Sequence, residues 1–355
     1  MKRKAWRMVW MVLAAAVLAV GVAQAVFLLR HPYFRKYAAQ NGLSLREARQ
    51  AWGRPDAMSE WAMGLAVEAS LEHWDAVAKL AAEDRTSEIG TYYYNLSNAV
   101  RGQLAERLLD YYQPFERGLF LPVGEHSSPF QIGCAGDVWF ALGDMVMAER
   151  DAMLGLLFSP AHTGPRYLRR LAETNLVTGD DAAAAKFLRI LLNGSRRDRK
   201  WAEERLPEAW TPAVRARIEA RRALLPTVDV VHGMDQTPQI LRILLYSNSG
   251  NRMALDYLLC YDLLTKDLDA FVGDFVPSLT ASTLYEEAML IFLAAKGGMN
   301  EENLARYHIS GETLARFNRF VTIYKRDGGS GRNLAEEFRH TYWYYFYYAA
   351  RNEKS

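Results

Sequence analysis

Residues Tyr167 to Leu192 read YLRRLAETNLVTGDDAAAAKFLRILL. Two Leu- and Ala-rich halves flank Thr178, Gly179 and Asp180. Glycine takes the positive φ that ends a helix, and an aspartate side chain accepts the free amides that open the next one. Ala182 to Ala185 are small enough for two helices to approach closely, and Phe187 and Leu188 fill the seam between them. The stretch is predicted to be a helical hairpin.

The same grammar recurs in both directions. Met63–Leu71 leads into Trp74–Ala82, and Tyr92–Val100 passes Gly102-Gln103 into Leu104–Tyr112. Val138–Leu142 passes Gly143-Asp144 into Met145–Leu157, and Met253–Leu264 passes Lys266-Asp267 into Leu268–Phe275. The turns recur at about 30 to 40 residues, with one gap of about twice that, the period of tetratricopeptide-like hairpins. Such a hairpin cannot bury its apolar face alone and must stack on neighbours. The predicted fold is therefore all-α, a tetratricopeptide-like α-α superhelix in two regions, residues 37–226 and 236–351. An irregular joint, Thr227 to Gln239, separates them. Half of the 355 residues are hydrophobic, enough for a sizeable core. Gln113 to Gly136, rich in Gly, Pro and Ser, is predicted to be a long loop, and Asn333 to about Arg351 a final capping helix carrying the aromatic run Tyr342–Tyr348.

The N-terminus carries a second signal. Residues 1–7, MKRKAWR, hold four cations, and Met8 to Leu29 contain one strongly polar side chain, Gln24. At about 1.5 Å per residue such a run crosses a hydrocarbon core of about 30 Å. Residues 1–7 are read as a cytoplasmic tail and 8–29 as a single transmembrane helix or uncleaved signal anchor. That places the chain in a bacterial inner membrane with the helical domain in the periplasm. The alternative is secretion to the periplasm after cleavage near Ala25, because Ala23-Gln24-Ala25 matches an A-x-A site.

Chemistry is sparse. The chain has no G-x-S-x-G, P-loop, HExxH or EF-hand loop. Its seven histidines are scattered, so no catalytic residue, metal site or cofactor is assigned. A net charge of +2 supplies no field for nucleic acid. Cys134 and Cys260 are read as buried thiols. Nine Lys or Arg between Arg196 and Arg222 are interleaved with five acids and read as a solvated, salt-bridged face. Glu286-Glu287 is likewise read as a solvated pair.

Several segments resemble an uncharacterised family of bacterial membrane proteins common in Bacteroidota. They are Tyr93-Tyr-Asn-Leu-Ser-Asn-Ala, Arg169-Arg-Leu-Ala-Glu-Thr-Asn-Leu, Ala184-Ala-Lys-Phe-Leu-Arg-Ile-Leu, Arg199-Lys-Trp-Ala, Asn251-Arg-Met-Ala-Leu-Asp-Tyr-Leu-Leu and the Thr341-Tyr-Trp-Tyr-Tyr ending. Members of that family carry several spans before the helical region, where this chain has one. The resemblance implies kinship but no activity and no functional residues. The leading functional expectation is a membrane-anchored scaffold of the cell envelope that binds a protein partner in the groove of the superhelix. The binding residues would be the aromatics Tyr92, Tyr93, Tyr94, Trp139 and Tyr257 on the first helices of their hairpins. The alternative is an enzyme or accessory subunit acting on envelope glycans or lipids.

Overall fold

The computed structural model describes residues 29–350, apart from residues 85, 229–232, 234 and 235, and earlier only positions 10, 13, 18, 26 and 27. The expected tail 1–7 and most of the expected membrane helix 8–29 lie outside the described residues, as does the middle of the joint 227–239. Among the described residues every regular element is helical. No helix among them is long and apolar enough to cross a membrane.

The N-terminal half runs α1 (Pro32–Gln40), α2 (Leu45–Trp52), α3 (Ala57–Ser70), α4 (Trp74–Ala81), α5 (Glu88–Val100), α6 (Leu104–Arg107), α7 (Pro129–Leu142) and α8 (Met145–Phe158). It continues through α9 (Pro165–Thr178), α10 (Asp181–Leu192), α11 (Arg196–Glu203) and α12 (Pro212–Arg222). The C-terminal half holds α13 (Thr237–Ser247), α14 (Arg252–Thr265), α15 (Leu268–Asp274), α16 (Thr283–Ala295), α17 (Glu301–Arg306), α18 (Gly311–Arg326), α19 (Ala335–Phe338) and α20 (Tyr342–Tyr348).

Caps set most of these boundaries. Ser44 and Glu47 form a reciprocal capping box at α2. Three hairpin turns share one device: a residue with positive φ closes the first helix and the next residue, an aspartate, caps the second. The pairs are Gly143-Asp144, Gly179-Asp180 and Lys266-Asp267, with φ of 100°, 85° and 62°. At Gly143 even the missing Cβ matters, since one would lie 2.5 Å from Leu224 Cβ.

Three boundaries differ from expectation. The second helix of the 92–112 hairpin is only α6 followed by a 3-10 turn, Leu108–Asp110. The predicted loop ends early, because Ser128 accepts from the Gln131 amide and Pro129 occupies the first helical position, so α7 begins at 129. The rest of that loop is pinned by Asn95, whose amide donates to the Gly118 carbonyl at 2.9 Å, and by Phe120, stacked on Trp139 at 4.6 Å. The expected final helix is broken in two, because Thr341 turns extended and its hydroxyl accepts from the Tyr344 amide.

One hydrophobic core runs from Phe34 through to Tyr345 and includes both helical regions. Asn251 donates to the Leu142 carbonyl at 2.9 Å, and Phe120 meets Tyr257 edge-on at 5.3 Å. A satellite core of Leu168, Ala172, Leu188, Leu191 and Ala202 seals α9, α10 and α11.

The aromatic ending has a specific task. The last four carbonyls of any helix lack intrahelical donors. In α14, Tyr342 and Tyr345 supply two, their hydroxyls donating to the Leu263 and Leu264 carbonyls at 2.9 and 2.8 Å. Trp343 Nε1 donates to the Glu287 carbonyl at 2.9 Å, and the Glu287 carboxylate accepts the Tyr342 amide at 2.7 Å. Glu287 is therefore buried rather than solvated, and burial pushes its carboxyl up to about 7. Tyr345→Phe removes the hydroxyl that donates to the Leu264 carbonyl; the expected loss is about 1–3 kcal/mol, read as a lower denaturant midpoint with an unchanged slope.

Candidate functional site

A built recess lies in the N-terminal half. It is a cavity of about 460 Å3, walled by α1, α3, α7, α8, α9, α11 and α12. That volume falls within the range of small-molecule sites. Helix α9 supplies its principal wall. Arg166, Arg169, Arg170 and Glu173 follow i, i+3, i+4, i+7 spacing, which aligns them on one face. The satellite core holds the other face through Leu168 and Ala172.

Asp137 of α7 is the central anion, 8% exposed. Its Oδ2 accepts Tyr93 OH at 2.9 Å and Arg166 at 3.0 Å, and its Oδ1 accepts Arg170 at 3.0 Å. Arg166 also donates to the Ala66 carbonyl of α3 at 2.7 Å. Lower down, Arg169 pairs with Asp198 at 2.6 Å. Glu173 faces Arg205 at 3.4 Å, Arg217 at 3.5 Å and Arg170 at 3.8 Å. Burial raises the Glu173 carboxyl, but Arg217, Arg205 and Arg170 together hold it below its usual range. Arg169 and Arg205 also lie over the Trp201 ring, 5.1 and 3.9 Å from its centroid.

Small residues open the space. Gly155 lets the Tyr167 ring pass, since a Cβ there would sit 2.5 Å from Tyr167 Cε1. Gly136 faces Asp151, where a Cβ would come within 3.0 Å of Asp151 Cβ. Asp151 is 1% exposed, with both donors of Arg150 on its Oδ1, at 2.9 and 2.6 Å. Its Oδ2 has no protein partner, and neither has Gln40 Oε1 or Arg169 Nε; all three residues line the cavity.

The balance of charge is one-sided. Lys36, Arg166, Arg169, Arg170, Arg197, Arg205 and Arg217 face Asp137, Asp151, Glu173 and Asp198. Three cations are in excess among the lining side chains, two of which, Lys36 and Arg217, also pair with Glu68 and Glu72 just outside the lining, while the whole chain carries only +2. A concave, partly apolar wall with converging guanidinium groups suits an anion, because each fork meets two oxygens of a carboxylate or phosphate.

The aromatics expected to bind a partner lie elsewhere. Tyr92, Tyr93, Tyr94, Trp139 and Tyr257 are all buried, between 0 and 5% exposed. Tyr92 OH donates to the Cys134 carbonyl at 3.0 Å, and Tyr94 OH to Asp110 at 3.3 Å. They face neighbouring helices instead of a groove, because first helices in this stack are covered on both sides. Only Tyr93 approaches the cavity, from behind, through Asp137. Cys134 and Cys260 are buried free thiols, and burial pushes both up, Cys134 to about 11, so neither is nucleophilic at neutral pH. Among the described residues no group of three or more His, Cys, Asp or Glu can hold a metal ion.

The basic cluster is the main correction. Arg197, Arg205 and Arg217 turn into the cavity. Arg221 and Arg222 spend donors on carbonyls in the last turns of two helices: Phe140 O of α7 at 2.9 Å and Leu176 O of α9 at 2.8 Å. The interleaved acids that suggested a solvated face are local, whereas the carboxylates that organise the cluster, Glu72 and Glu173, are distant in sequence. Arg166, Arg169 and Arg170 belong to no chemical motif in the sequence, and their spacing with Glu173 is the signal that places them on one face.

Two outcomes follow. Asp137→Asn strips a buried charge from two arginines and is expected to cost about 3–5 kcal/mol, measurable by chemical denaturation. Asp151 is pushed by burial up to about 6, so its folded form holds a proton more tightly than the unfolded chain. Its contribution to stability is therefore greatest below about pH 4 and is lost as pH rises to about 6. The stability of Asp151→Asn relative to the natural chain should rise across that window and level off above it, in thermal denaturation at stepped pH.

No curated protein and no solved structure matches the chain. A family profile does match, over residues 2–349, nearly the whole length. The chain belongs to the family of unknown function DUF6057.

Proposed function

We propose that the chain is a binding module for a small organic anion, tethered to a bacterial inner membrane by residues 8–29 with its helical domain in the periplasm. The excess of three cations among the side chains lining one concave recess carries the binding reading. The apolar run 8–29 supports the tether, as do the exposed side chains of Trp10, Leu13, Leu18, Val26 and Leu29. Phe27 then fastens the segment to the body, with the Arg49 guanidinium 3.8 Å from its ring centroid and Phe34 at 6.0 Å. The successive hairpins α7/α8 and α9/α10 are read as a tetratricopeptide-like superhelix, with the cavity on its inner side.

A scaffold role keeps one specific support. Val146, Met153 and Leu157 of α8, each more than 50% exposed, lie on one helix face beside Phe158. An apolar stripe of this kind suits a protein partner. The aromatics first nominated for that role do not contribute to it.

The test is calorimetric titration of the full chain in detergent with inorganic phosphate, sulfate and citrate. Arg197 is exposed and makes no ion pair among the described residues, so Arg197→Ala spares the fold. It is expected to weaken anion binding about tenfold or more, the worth of one charge-assisted hydrogen bond. Absence of binding by all three anions at millimolar concentration sinks the reading.

A further inference from the structure

The cavity wall does not carry cations alone. A dianion such as phosphate has acceptors only, so the hydrogen-bond acceptors on the same wall are placed against it unless the ligand also brings donors. Two such acceptors stand unsatisfied by protein. Asp151 Oδ2 is buried on α8, with its carboxylate oriented by Arg150 on the other oxygen. Gln40 Oε1 is buried on α1, with its amide nitrogen already donating to Ser70 Oγ at 2.7 Å. The bonds at the other end of each group hold it in place and leave one oxygen of each without a protein partner. A buried acceptor left unmade is destabilising, so the wall favours a molecule that donates there.

The donor is a hydroxyl, not an ammonium. An ammonium would enter a recess already three positive charges in excess, whereas a hydroxyl adds no charge. The anionic part is best matched by a phosphate ester. Its charge of about −1.5 to −2 offsets more of that excess than one carboxylate does. Arg169 Nε is buried with no protein partner and supplies a donor on the same wall.

Building on the anion reading above, we propose that the ligand is a phosphorylated polyol or sugar, its phosphate on the α9–α11–α12 arginines and its hydroxyls on Asp151 and Gln40. The same chemistry is offered by a soluble sugar phosphate and by a lipid headgroup whose inositol carries a phosphate monoester.

The experiment titrates the full chain in detergent with glucose 6-phosphate, hexyl phosphate, inorganic phosphate and glucose, and with phosphatidylinositol 4-phosphate in mixed micelles. Glucose 6-phosphate or phosphatidylinositol 4-phosphate should bind at least about tenfold more tightly than hexyl phosphate, by the worth of one or two buried hydrogen bonds. Whichever is tighter identifies the source. Asp151→Asn and Gln40→Met, on different helices, should each erase most of that advantage and leave hexyl phosphate binding unchanged. A variant with a collapsed melting transition is set aside in favour of the other. Equal affinity for hexyl phosphate and both polyol phosphates overturns the polyol assignment while the anion reading stands. Binding of glucose as tightly as glucose 6-phosphate overturns the phosphate assignment. Binding of none of the phosphates overturns both.

Discussion

Asp137 places a carboxylate inside the protein, and the helices around it are arranged to make that tolerable. An unpaired charge in such a place is prohibitively costly, so its neighbours must bring donors. Tyr93 reaches it from α5, Arg166 and Arg170 from α9, and Arg166 continues to the Ala66 carbonyl on α3. One anion therefore ties four helices that are up to a hundred residues apart in sequence. Apolar packing supplies most of the stabilisation here, as in any domain, but it is indifferent to small rotations of a helix. The bonds to Asp137 are not, and they fix which face of α9 is turned inward.

That rotation creates the cavity. Once Arg166 and Arg170 are drawn to Asp137, the helical period brings Arg169 and Glu173 to the same side, and Glu173 in turn gathers Arg205 and Arg217. The cations are held by buried acids that do not cancel them. A set of guanidinium groups locked in this way has already given up its rotamer freedom and part of its hydration, so a ligand need not supply that cost on binding. The unpartnered atoms on the same wall belong to groups whose other ends are fixed, and their directions are set before anything enters.

The helical class and most hairpin turns were legible because they depend on local chemistry. Gly143-Asp144, Gly179-Asp180 and Lys266-Asp267 state their geometry in two residues. The short α6, the early start of α7 and the break at Thr341 were missed where one capping side chain outweighed a periodic pattern. The candidate site was harder. Periodicity identifies which residues share a face, but a stripe of arginines on a helix looks the same whether it faces water or a buried aspartate from another hairpin. Tyr92, Tyr93 and Tyr257 posed the converse problem: a hydroxyl suggests a surface, and only the tertiary partners show that each ring is interior.

The aromatic ending also bears on how the chain is made. The carbonyls that close α14 receive their donors from residues 79 and 81 positions later. At about 5–20 residues per second, a ribosome needs about 4–16 seconds to supply them after α14 itself has been synthesised. During that interval α14 carries an unfinished end against a core shared with the helices already made. The α9–α12 unit, complete much earlier, can assemble its ion pairs while synthesis continues. The order of synthesis therefore makes the ion pairs of the cavity half available before the hydroxyls that complete the end of α14.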